Sequence, residues 1–312
     1  MSYDISVVVC THNPHRDNFQ RVLSALKSQD LSLEKWELLI VDNASDAQLS
    51  EEVDLTWHPH ARCVREKLLG LTKARLCGFK RAKSSIITFA DDDNVLDSDF
   101  LENVLQIADR YPQLGAFGGK VIPEFEAEPE KWVRSFDNAL AIRDFGNEVL
   151  CCNGSAVLGE NAHYPYYAPI GAGLVLRREA AKVYTDSLKM QPDRLSFGRN
   201  GNQLTSGEDN DIILTILKAG WGIGYFPQLK LTHLISANRI TKQYLARLNY
   251  AASRSWVQVL DIHGLRPWKK ISRWSISLRK VKAFFTYQAW RSEEAFIRWR
   301  GACGLFEGLS TL

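Results

Sequence analysis

The sequence predicts an α/β protein whose mainly parallel sheet is flanked by helices. Residues 5–10, 36–41 and 86–90 are apolar at nearly every position, which is typical of parallel strands covered on both faces. Helical patterns lie between these runs, at residues 18–29 and 71–82. The alternation of strand and helix with short connections indicates a doubly wound, Rossmann-like sheet.

The composition excludes several classes of protein. The 312 residues are 45% hydrophobic and 24% charged, which excludes disorder over most of the chain. The net charge of +3 argues against a strongly basic nucleic-acid binder, and we expect no nucleic-acid partner. The six cysteines include no CxxC pair, which argues against a zinc ribbon or a disulfide scaffold. We find no signal peptide and no run of ~18 apolar residues, and so expect a cytoplasmic protein.

Polar residues follow each of the three predicted strands. These strand exits are residues 11–14 (THNP), 42–45 (DNAS) and 91–94 (DDDN). Ligands of such sheets bind outside the carboxyl ends of the strands, so the exits predict one site for a polar ligand. No GxGxxG pattern follows the first strand, so we do not expect a dinucleotide cofactor.

The third exit contains three adjacent carboxylates, Asp91, Asp92 and Asp93. Adjacent carboxylates raise one another's pKa unless a cation offsets their charge, and hard divalent ions prefer oxygen ligands. The alternative is a solvated turn that caps a helix beginning near Asp97. His233, which follows a later apolar run, is either a structural histidine or a further metal ligand.

Glu208 and Asp209 follow Gly207, where a helical pattern begins. Acidic residues at a helix N-terminus are commonly caps and partners of the helix dipole. A carboxylate beside a metal site is also a candidate general base. The two interpretations stay open from the residues alone.

Several of these segments together resemble the family 2 glycosyltransferases with the GT-A fold. The matching segments, in chain order, are residues 7–13 (VVVCTHN), 38–45 (LLIVDNAS), 70–75 (GLTKAR), 89–94 (FADDDN) and 206–209 (SGED), followed by His233. His12 stands where the family commonly has Tyr, and Asn94 where a further Asp is common. The resemblance covers residues 5–233 and not the tail.

The resemblance implies roles for individual residues. Asp209, with Glu208 beside it, is implied to be catalytic, with Asp209 as the general base. Asp93 is implied to bind Mn²⁺ or Mg²⁺, with His233 completing the shell. The residues implied to bind the nucleotide sugar are Thr11, Asn13, Asp42, Arg75, Asp91 and Asp92.

The function implied is a metal-dependent, inverting transfer of sugar in surface polysaccharide biosynthesis. The donor would be a nucleoside-diphosphate sugar, with uridine as the expected nucleoside, and the acceptor a hydroxyl of a glycan or lipid-linked sugar. The chain lacks the QxxRW pattern of processive synthases, which favours a single transfer. One alternative is a nucleotidyltransferase, although residues 11–16 do not form the glycine-rich basic loop expected of it. Another is an inactive scaffold that binds nucleotide sugars.

The composition changes after residue 238. Residues 239–312 hold 14 Lys and Arg against four acids, a net +10, together with five tryptophans. We therefore divide the chain into a catalytic domain, residues 1–238, and a basic helical extension, residues 239–312. A basic, Trp-rich amphipathic helix suits an anionic membrane surface, which would place the protein peripherally at the inner face of the cell membrane. The alternatives are packing of these helices on the catalytic domain or on a second subunit, and RNA binding.

An aromatic and glycine-rich stretch, residues 164–173, precedes a short strand expected at residues 174–176. Together with Trp132 it is a candidate surface for stacking on sugar rings. Packing in the core or in a loop is the alternative.

Overall fold

The computed structural model describes residues 3–154, 163–201 and 203–312. The strands of this part of the chain are β1 (Ile5–Thr11), β2 (Trp36–Asn43), β3 (Ala61–Glu66), β4 (Ile86–Asp91), β5 (Asn94–Leu96), β6 (Leu114–Phe125), β7 (Leu150–Cys152), β8 (Val175–Arg177) and β9 (Gly222–Ile235). Its α-helices are α1 (Arg16–Lys27), α2 (Leu49–Glu52), α3 (Leu71–Arg81), α4 (Phe100–Arg110), α5 (Arg178–Met190), α6 (Glu208–Lys218), α7 (Lys242–Ile262), α8 (Ile276–Thr286) and α9 (Glu293–Ser310).

The strands form one sheet in the order β3-β2-β1-β4-β8-β6-β9-β5, with β7 paired to β9. The first four strands pair in parallel, as the alternating sequence pattern predicts. The later strands are mixed, because β8 runs antiparallel to both β4 and β6, whereas β6 and β9 are parallel. The α/β architecture is thus confirmed, and the parallel part of the sheet is its N-terminal half.

Successive residues of β1 enter opposite layers of the core. Val7 and Val9 pack in a cluster that includes residues of α1 and α4. Val8 and Cys10 pack in a second cluster that includes residues of α3, α5 and α6. Burial on both faces explains why this strand is apolar at nearly every position.

Helix α3 lies close to the sheet because its inner face is small. A Cβ atom at Gly78 would lie 2.6 Å from Cγ1 of Val8. The small residues of the pattern at 71–82 therefore permit a close approach of helix and strand, as predicted. This approach brings the N-terminal turn of α3, with Arg75, to the end of β1.

The two apolar runs at residues 223–226 and 229–232, which by their sequence predict two short strands, belong to one long strand, β9. The pairing of β6 with β9 passes from Gly119 opposite Phe226 to Lys120 opposite Lys230, so residues 227–229 form a bulge. Pro227 lies in this bulge, and proline has no N–H to donate to a ladder. The apparent break in the sequence is a bulge within β9, which continues past His233.

The C-terminal helices differ in what they contact. Helix α9 packs closely on α7, since a Cβ at Gly304 would lie 2.1 Å from the carbonyl oxygen of Tyr250. Leu245 of α7 and Ile297 of α9 are fully buried in a cluster with Val133 and other residues that precede the extension. These two helices therefore pack on the rest of the chain.

Helix α8 and its flanks present a different surface. Trp274, Leu278, Phe285 and Trp290 are 78%, 69%, 62% and 56% exposed. In the described residues no helix is both long enough and apolar enough to cross a membrane.

Candidate active site

A cavity of about 770 Å³ opens where β1 and β4 end, a volume in the range of small-molecule and cofactor sites. Most of the predicted site residues line it, namely Thr11, Arg75, Asp91, Asp92, Asp93, Glu208, Asp209 and His233. Asn13 and Asp42 are not among its lining residues. The polar strand exits of β1 and β4 therefore do meet in one place, as their position in the sequence predicts.

The acidic triplet is held between two strands. β4 ends at Asp91, and β5 begins at Asn94, which pairs opposite His233 of β9. The side-chain amide of Asn94 donates to Oδ1 of Asp93 at 2.9 Å, and its carbonyl accepts the N–H of Asp91 at 3.1 Å. Asn94, which departs from the family pattern, thus braces the turn that presents the carboxylates.

Ionisation of the Asp91 and Asp92 carboxyl groups is unfavourable in this position. Burial raises the pKa of Asp91, although Arg75, 3.6 Å away, acts to lower it. Burial and the charge of Asp93 raise the pKa of Asp92 to about 7. The Thr11 hydroxyl donates a hydrogen bond to Asp92. A cation supplied to this turn would stabilise the fully ionised triplet.

Asp93 already has two basic neighbours. Its Oδ2 lies 3.3 Å from Nε2 of His233 and 2.8 Å from Nη1 of Arg239. Burial acts to raise the pKa of Asp93, but His233 and Arg239 outweigh it and lower that pKa well below its usual range. Asp93 is therefore the carboxylate of the triplet that is held ionised.

Asp93 and His233 can supply only part of the ligand set of a divalent ion. Asp93 and His233 offer an oxygen and an imidazole nitrogen, and both are donors that Mn²⁺ accepts. Nδ1 of His233 is buried without a hydrogen-bond partner, so Nε2 can carry the lone pair only if Nδ1 keeps the proton. Among the described residues no group of three or more His, Cys, Asp or Glu side chains is arranged to hold a metal. The residues thus fit an ion whose remaining ligands are phosphate oxygens and water.

Arg75 and Glu208 form a buried ion pair in the cavity wall. Nη1 of Arg75 lies 3.0 Å from Oε2 of Glu208, and both side chains are 3% exposed. Burial raises the pKa of Glu208 to about 7, although Arg75 acts to lower it. A Cβ at Gly171 would lie 2.4 Å from Nη2 of Arg75, so a larger residue here would require the guanidinium to shift. The chief contact of Glu208 is therefore Arg75.

Asp209 has the more accessible carboxylate of the pair. It is half-buried and lines the cavity, as does Asn210, whereas residues 211–217 of α6 are buried. Its Oδ2 accepts the N–H of Gly171 at 3.3 Å, and its Oδ1 accepts the N–H of Asn210 at 2.9 Å. These backbone contacts orient the carboxylate without a paired cation within 4 Å in the described residues.

The exit of β2 is occupied by internal contacts. Asp42 is buried, its Oδ2 lies 2.7 Å from Nη1 of Arg65, and its Oδ1 accepts the N–H of Ser45 at 3.0 Å. Asn13 donates through its backbone N–H to the Ser45 hydroxyl at 3.0 Å. These contacts join the loops after β1 and β2 into one rim beside the cavity.

The structure adds residues that sequence reasoning did not select. Arg239, Arg143 and Trp256 line the cavity together with the candidates above. Arg239 and Trp256 belong to the extension, which lies outside the resemblance, and Arg143 stands in no pattern that distinguishes it. Another lining residue, Tyr164, was indicated by the sequence, because it begins the aromatic stretch at residues 164–173.

The aromatic stretch and Trp132 have different positions. Tyr164 lines the cavity, and its ring centroid lies 5.2 Å from that of Trp256 in an edge-to-face contact. Trp132 is not among the lining residues and packs on Phe136, with ring centroids 6.4 Å apart. The cavity thus has an aromatic wall, but Trp132 is not part of it.

Two named proteins are similar in sequence to this chain. The succinoglycan biosynthesis protein ExoM of Rhizobium meliloti is 26% identical over 218 residues, which are 68% of this chain and 59% of that protein. The glucosyl-dolichyl phosphate glucuronosyltransferase of Haloferax volcanii is 24% identical over 141 residues, 42% of this chain and 43% of that protein. The chain thus spans about half the length of these relatives.

Solved structures of TarS from S. aureus, residues 1–349, are similar in fold. The structure without a stated ligand aligns with a TM-score of 0.52, and the complex with UDP with 0.54. Each alignment has 13% sequence identity and covers 97% of this chain and 89% of the other. The likeness shows the fold and agrees with the GT-A architecture expected from the sequence.

The model of the family named glycosyl transferase family 2 matches residues 6–164. The match begins in β1 and includes the strand exits that carry Thr11 and the acidic triplet. Because it covers half of the chain, the chain belongs to glycosyl transferase family 2.

Proposed function

We propose that this protein is a glycosyltransferase that moves a sugar from a nucleoside-diphosphate donor to a hydroxyl of a glycan or lipid-linked acceptor. The observation that carries the proposal is the meeting of an acidic strand exit and the accessible carboxylate of Asp209 in one cavity of a family 2 chain. UDP is the proposed nucleotide, supported by the complex of a similar fold with UDP. The domain of residues 1–238 would supply the donor site, and α7 of the extension would complete the cavity.

The proposed reaction is a single displacement. The acceptor oxygen forms a bond to the anomeric carbon while the bond from that carbon to the phosphate oxygen breaks. The electron pair of the broken bond goes to the diphosphate, and the proton of the acceptor hydroxyl goes to a carboxylate oxygen of Asp209. Attack from the face opposite the leaving group inverts the anomeric centre. A general base in this position is worth typically about 10²–10⁴-fold in rate.

The donor side of the cavity is assigned to the acidic triplet and its basic neighbours. Asp93 and His233 would hold Mn²⁺ or Mg²⁺, which when bound stabilises negative charge on diphosphate oxygens. Asp91 would orient the ribose or the sugar, and Thr11 would fix the carboxylate of Asp92. Arg75 would act through Glu208 and Asp91, because its guanidinium is buried against both.

The acceptor is proposed to belong to surface polysaccharide biosynthesis. One relative is named for succinoglycan biosynthesis, and the name of the other includes a dolichyl phosphate-linked sugar. A lipid-linked acceptor would require the cavity to lie near a membrane. The exposed surface of α8 supports this, because its large apolar side chains lie among cationic residues.

We name the lipid-facing surface the α8 patch, formed by Trp274, Leu278, Val281, Phe285 and Trp290. Val281 is 55% exposed, so each of the five shows more than half of its surface to solvent. The neighbouring cations are Lys269, Lys270, Arg273, Arg279, Lys282 and Arg291. Each Lys or Arg near an anionic membrane contributes about 1 kcal/mol. This arrangement supports the proposed peripheral position at the negatively charged cytoplasmic leaflet.

The direct test is an assay of the purified protein with a panel of nucleotide sugars. The proposal predicts release of a nucleoside diphosphate, through donor hydrolysis or transfer, that depends on Mn²⁺ or Mg²⁺. Consumption of pyrophosphate with formation of a nucleoside triphosphate would instead identify a nucleotidyltransferase. Binding of a donor with no turnover on any acceptor would identify an inactive scaffold.

A further inference from the structure

We infer that Arg143, Tyr164 and Trp256 form an acceptor subsite that binds an anionic sugar unit, through a carboxylate or a phosphate group. The inference rests on the proposed function and deepens it by naming the chemical class of the acceptor. It assigns the cavity wall on the side of Asp209 to the acceptor rather than to the donor.

Arg143 is a half-buried cation that lacks an acidic partner within salt-bridge distance in the described residues. Its Nη1 donates to neutral carbonyl oxygens, those of Ile142 at 3.3 Å and of Asn138, and its Nε is buried without a partner. Backbone hydrogen bonds to Val121, of 2.8 and 3.1 Å, fix its position. Burial lowers the pKa of Arg143. A guanidinium stays protonated even so, which makes a negatively charged ligand group its natural partner.

Three other arginines that are buried or half-buried have acidic partners. Nη1 of Arg239 lies 2.8 Å from Asp93, Nη2 of Arg194 lies 2.8 Å from Asp211, and Arg75 pairs with Glu208. Arg143 differs from these in facing the cavity without such a pair. A binding site for an anion requires such a cation, because an arginine already paired with an acid is less available to the ligand.

The aromatic residues beside Arg143 suit a sugar ring. Tyr164 comes from the loop before β8, and Trp256 comes from α7, so two separate parts of the chain build this wall. Among the residues that the structure describes, the buried Tyr164 hydroxyl has no hydrogen-bond partner, as is true of Nε of Arg143. A sugar would offer an apolar ring face to the aromatic side chains and a hydroxyl to Tyr164.

The position of Asp209 assigns this wall to the acceptor. Asp209, Arg143 and Tyr164 line the same cavity, and the charge of Asp209 acts to raise the pKa of both Arg143 and Tyr164. Asp93, His233 and Arg239 contact one another elsewhere in the cavity lining and are assigned to the donor. A sugar held by Arg143 and Trp256 would therefore place a hydroxyl within reach of the proposed base.

The anionic group has two possible sources. A carboxylate would belong to a uronic acid within the glycan, and a phosphate to the linkage between sugar and lipid. Both bind a guanidinium through paired oxygens, so the shared chemistry is a bidentate oxyanion.

The test compares wild-type protein with Arg143→Gln and Arg143→Lys. The matched control is Arg134→Gln, because Arg134 is an exposed arginine whose side chain is 53% accessible and which does not line the cavity. Glucuronic acid, its neutral counterpart glucose, and inorganic phosphate are added as probes, and their binding is followed by saturation-transfer NMR. Calorimetry measures binding of UDP with Mn²⁺ to the same proteins, and thermal melting verifies that each is folded.

We expect wild-type protein and Arg134→Gln to bind one of the two anionic probes in preference to glucose, and Arg143→Gln to lose that preference. Loss of a charge-assisted hydrogen bond would lower the affinity for the anionic probe by about tenfold or more, whereas the affinity for UDP would be unchanged. Preference for glucuronic acid identifies a carboxylate acceptor, and preference for phosphate identifies the lipid linkage. Arg143→Lys should retain part of the preference, because it keeps the positive charge but lacks the paired N–H donors of the guanidinium.

Several results would overturn the inference. These are binding of no anionic probe by wild-type protein, equal binding by Arg143→Gln, or a loss of UDP affinity in Arg143→Gln equal to its loss of anion affinity. The last would place Arg143 on the donor side. Failure of the proposed function has a different signature, because no nucleotide sugar would be turned over while the probe results stand.

Discussion

Nη1 of Arg239 lies 2.8 Å from Oδ2 of Asp93 and 3.2 Å from Nε2 of His233. A guanidinium nitrogen therefore contacts both residues proposed as metal ligands. Asp93 raises the pKa of Arg239 against the opposing effect of burial, so this cation is firmly charged. Arg239 and a divalent ion thus compete for the same carboxylate oxygen.

This competition predicts a gain of metal affinity on removing Arg239. In the absence of nucleotide, Arg239→Gln should bind Mn²⁺ more tightly, by about tenfold if the competition is worth about 1.4 kcal/mol. Electron paramagnetic resonance of free Mn²⁺ measures this directly. Arg254→Gln, an exposed arginine of α7, is the control. Unchanged Mn²⁺ affinity in Arg239→Gln would mean that the two cations do not share a site.

Asp93 itself is predicted to be essential for metal-dependent binding of the donor. Asp93→Ala removes the carboxylate that is held ionised and should abolish turnover. It should also weaken UDP binding in the presence of Mn²⁺ more than in its absence, as measured by calorimetry. Full turnover by wild-type protein in excess chelator would contradict the prediction that the reaction requires Mn²⁺ or Mg²⁺.

The pH dependence of stability should reveal the buried Glu208. Its pKa in the folded protein, about 7, lies above its ordinary value of 4.5, so the folded state binds this proton more tightly than the unfolded state. The contribution of Glu208 to stability is therefore greatest below about pH 4.5 and declines as the pH rises to about 7. Glu208→Gln lacks this ionisation, so its Tm relative to wild type should rise over that interval.

Thermal melts between pH 4.5 and 7 test this, with Glu148→Gln, an exposed position, as the control. A constant difference in Tm between wild type and Glu208→Gln would show that Glu208 titrates normally. Such a result would contradict the conclusion that burial raises the pKa of Glu208.

The α8 patch predicts reversible binding to anionic vesicles. Replacing Trp274, Leu278 and Phe285 with serine removes three exposed apolar side chains without touching the packing of α9 on α7. Wild-type protein should sediment with vesicles that contain phosphatidylserine and release them as salt rises, since screening weakens the attraction. The triple variant should stay in the supernatant.

The control for the α8 patch is a protein with Met190→Ser and Val149→Ser, two exposed apolar positions elsewhere. It should sediment as wild type does. If wild-type protein remains in the supernatant at low salt, the patch does not bind lipid and an acceptor in solution is favoured.

Local sequence pattern predicted the parts of the site that depend on one strand and the turn after it. The burial of β1 on both faces, the acidic end of β4 and the small face of α3 are all visible in the order of residues. His233 was also found, although its place opposite Asn94 depends on the pairing of β5 with β9. Here the resemblance supplied what the local pattern could not.

The remaining features depend on contacts distant in sequence. Arg239 follows the proposed domain boundary at 238 directly, yet its guanidinium returns to Asp93, 146 residues earlier. The contact between Trp256 and Tyr164 likewise joins α7 to a loop before β8. Asp42 has the type and position expected of a ligand-binding residue, and only the pairing of β2 with β3 shows that Arg65 contacts it.

The central claim is that Asp209 is the base of a sugar transfer, and the most direct measurement is the transfer rate of Asp209→Asn beside its affinity for UDP. The account predicts a rate at least ~10²-fold below that of wild type, with UDP and Mn²⁺ bound as before and an inverted anomeric centre in the wild-type product. Glu208→Gln, the neighbouring control, should retain more activity than Asp209→Asn. An active Asp209→Asn beside an inactive Glu208→Gln, or a wild-type product with retained configuration, would contradict the account.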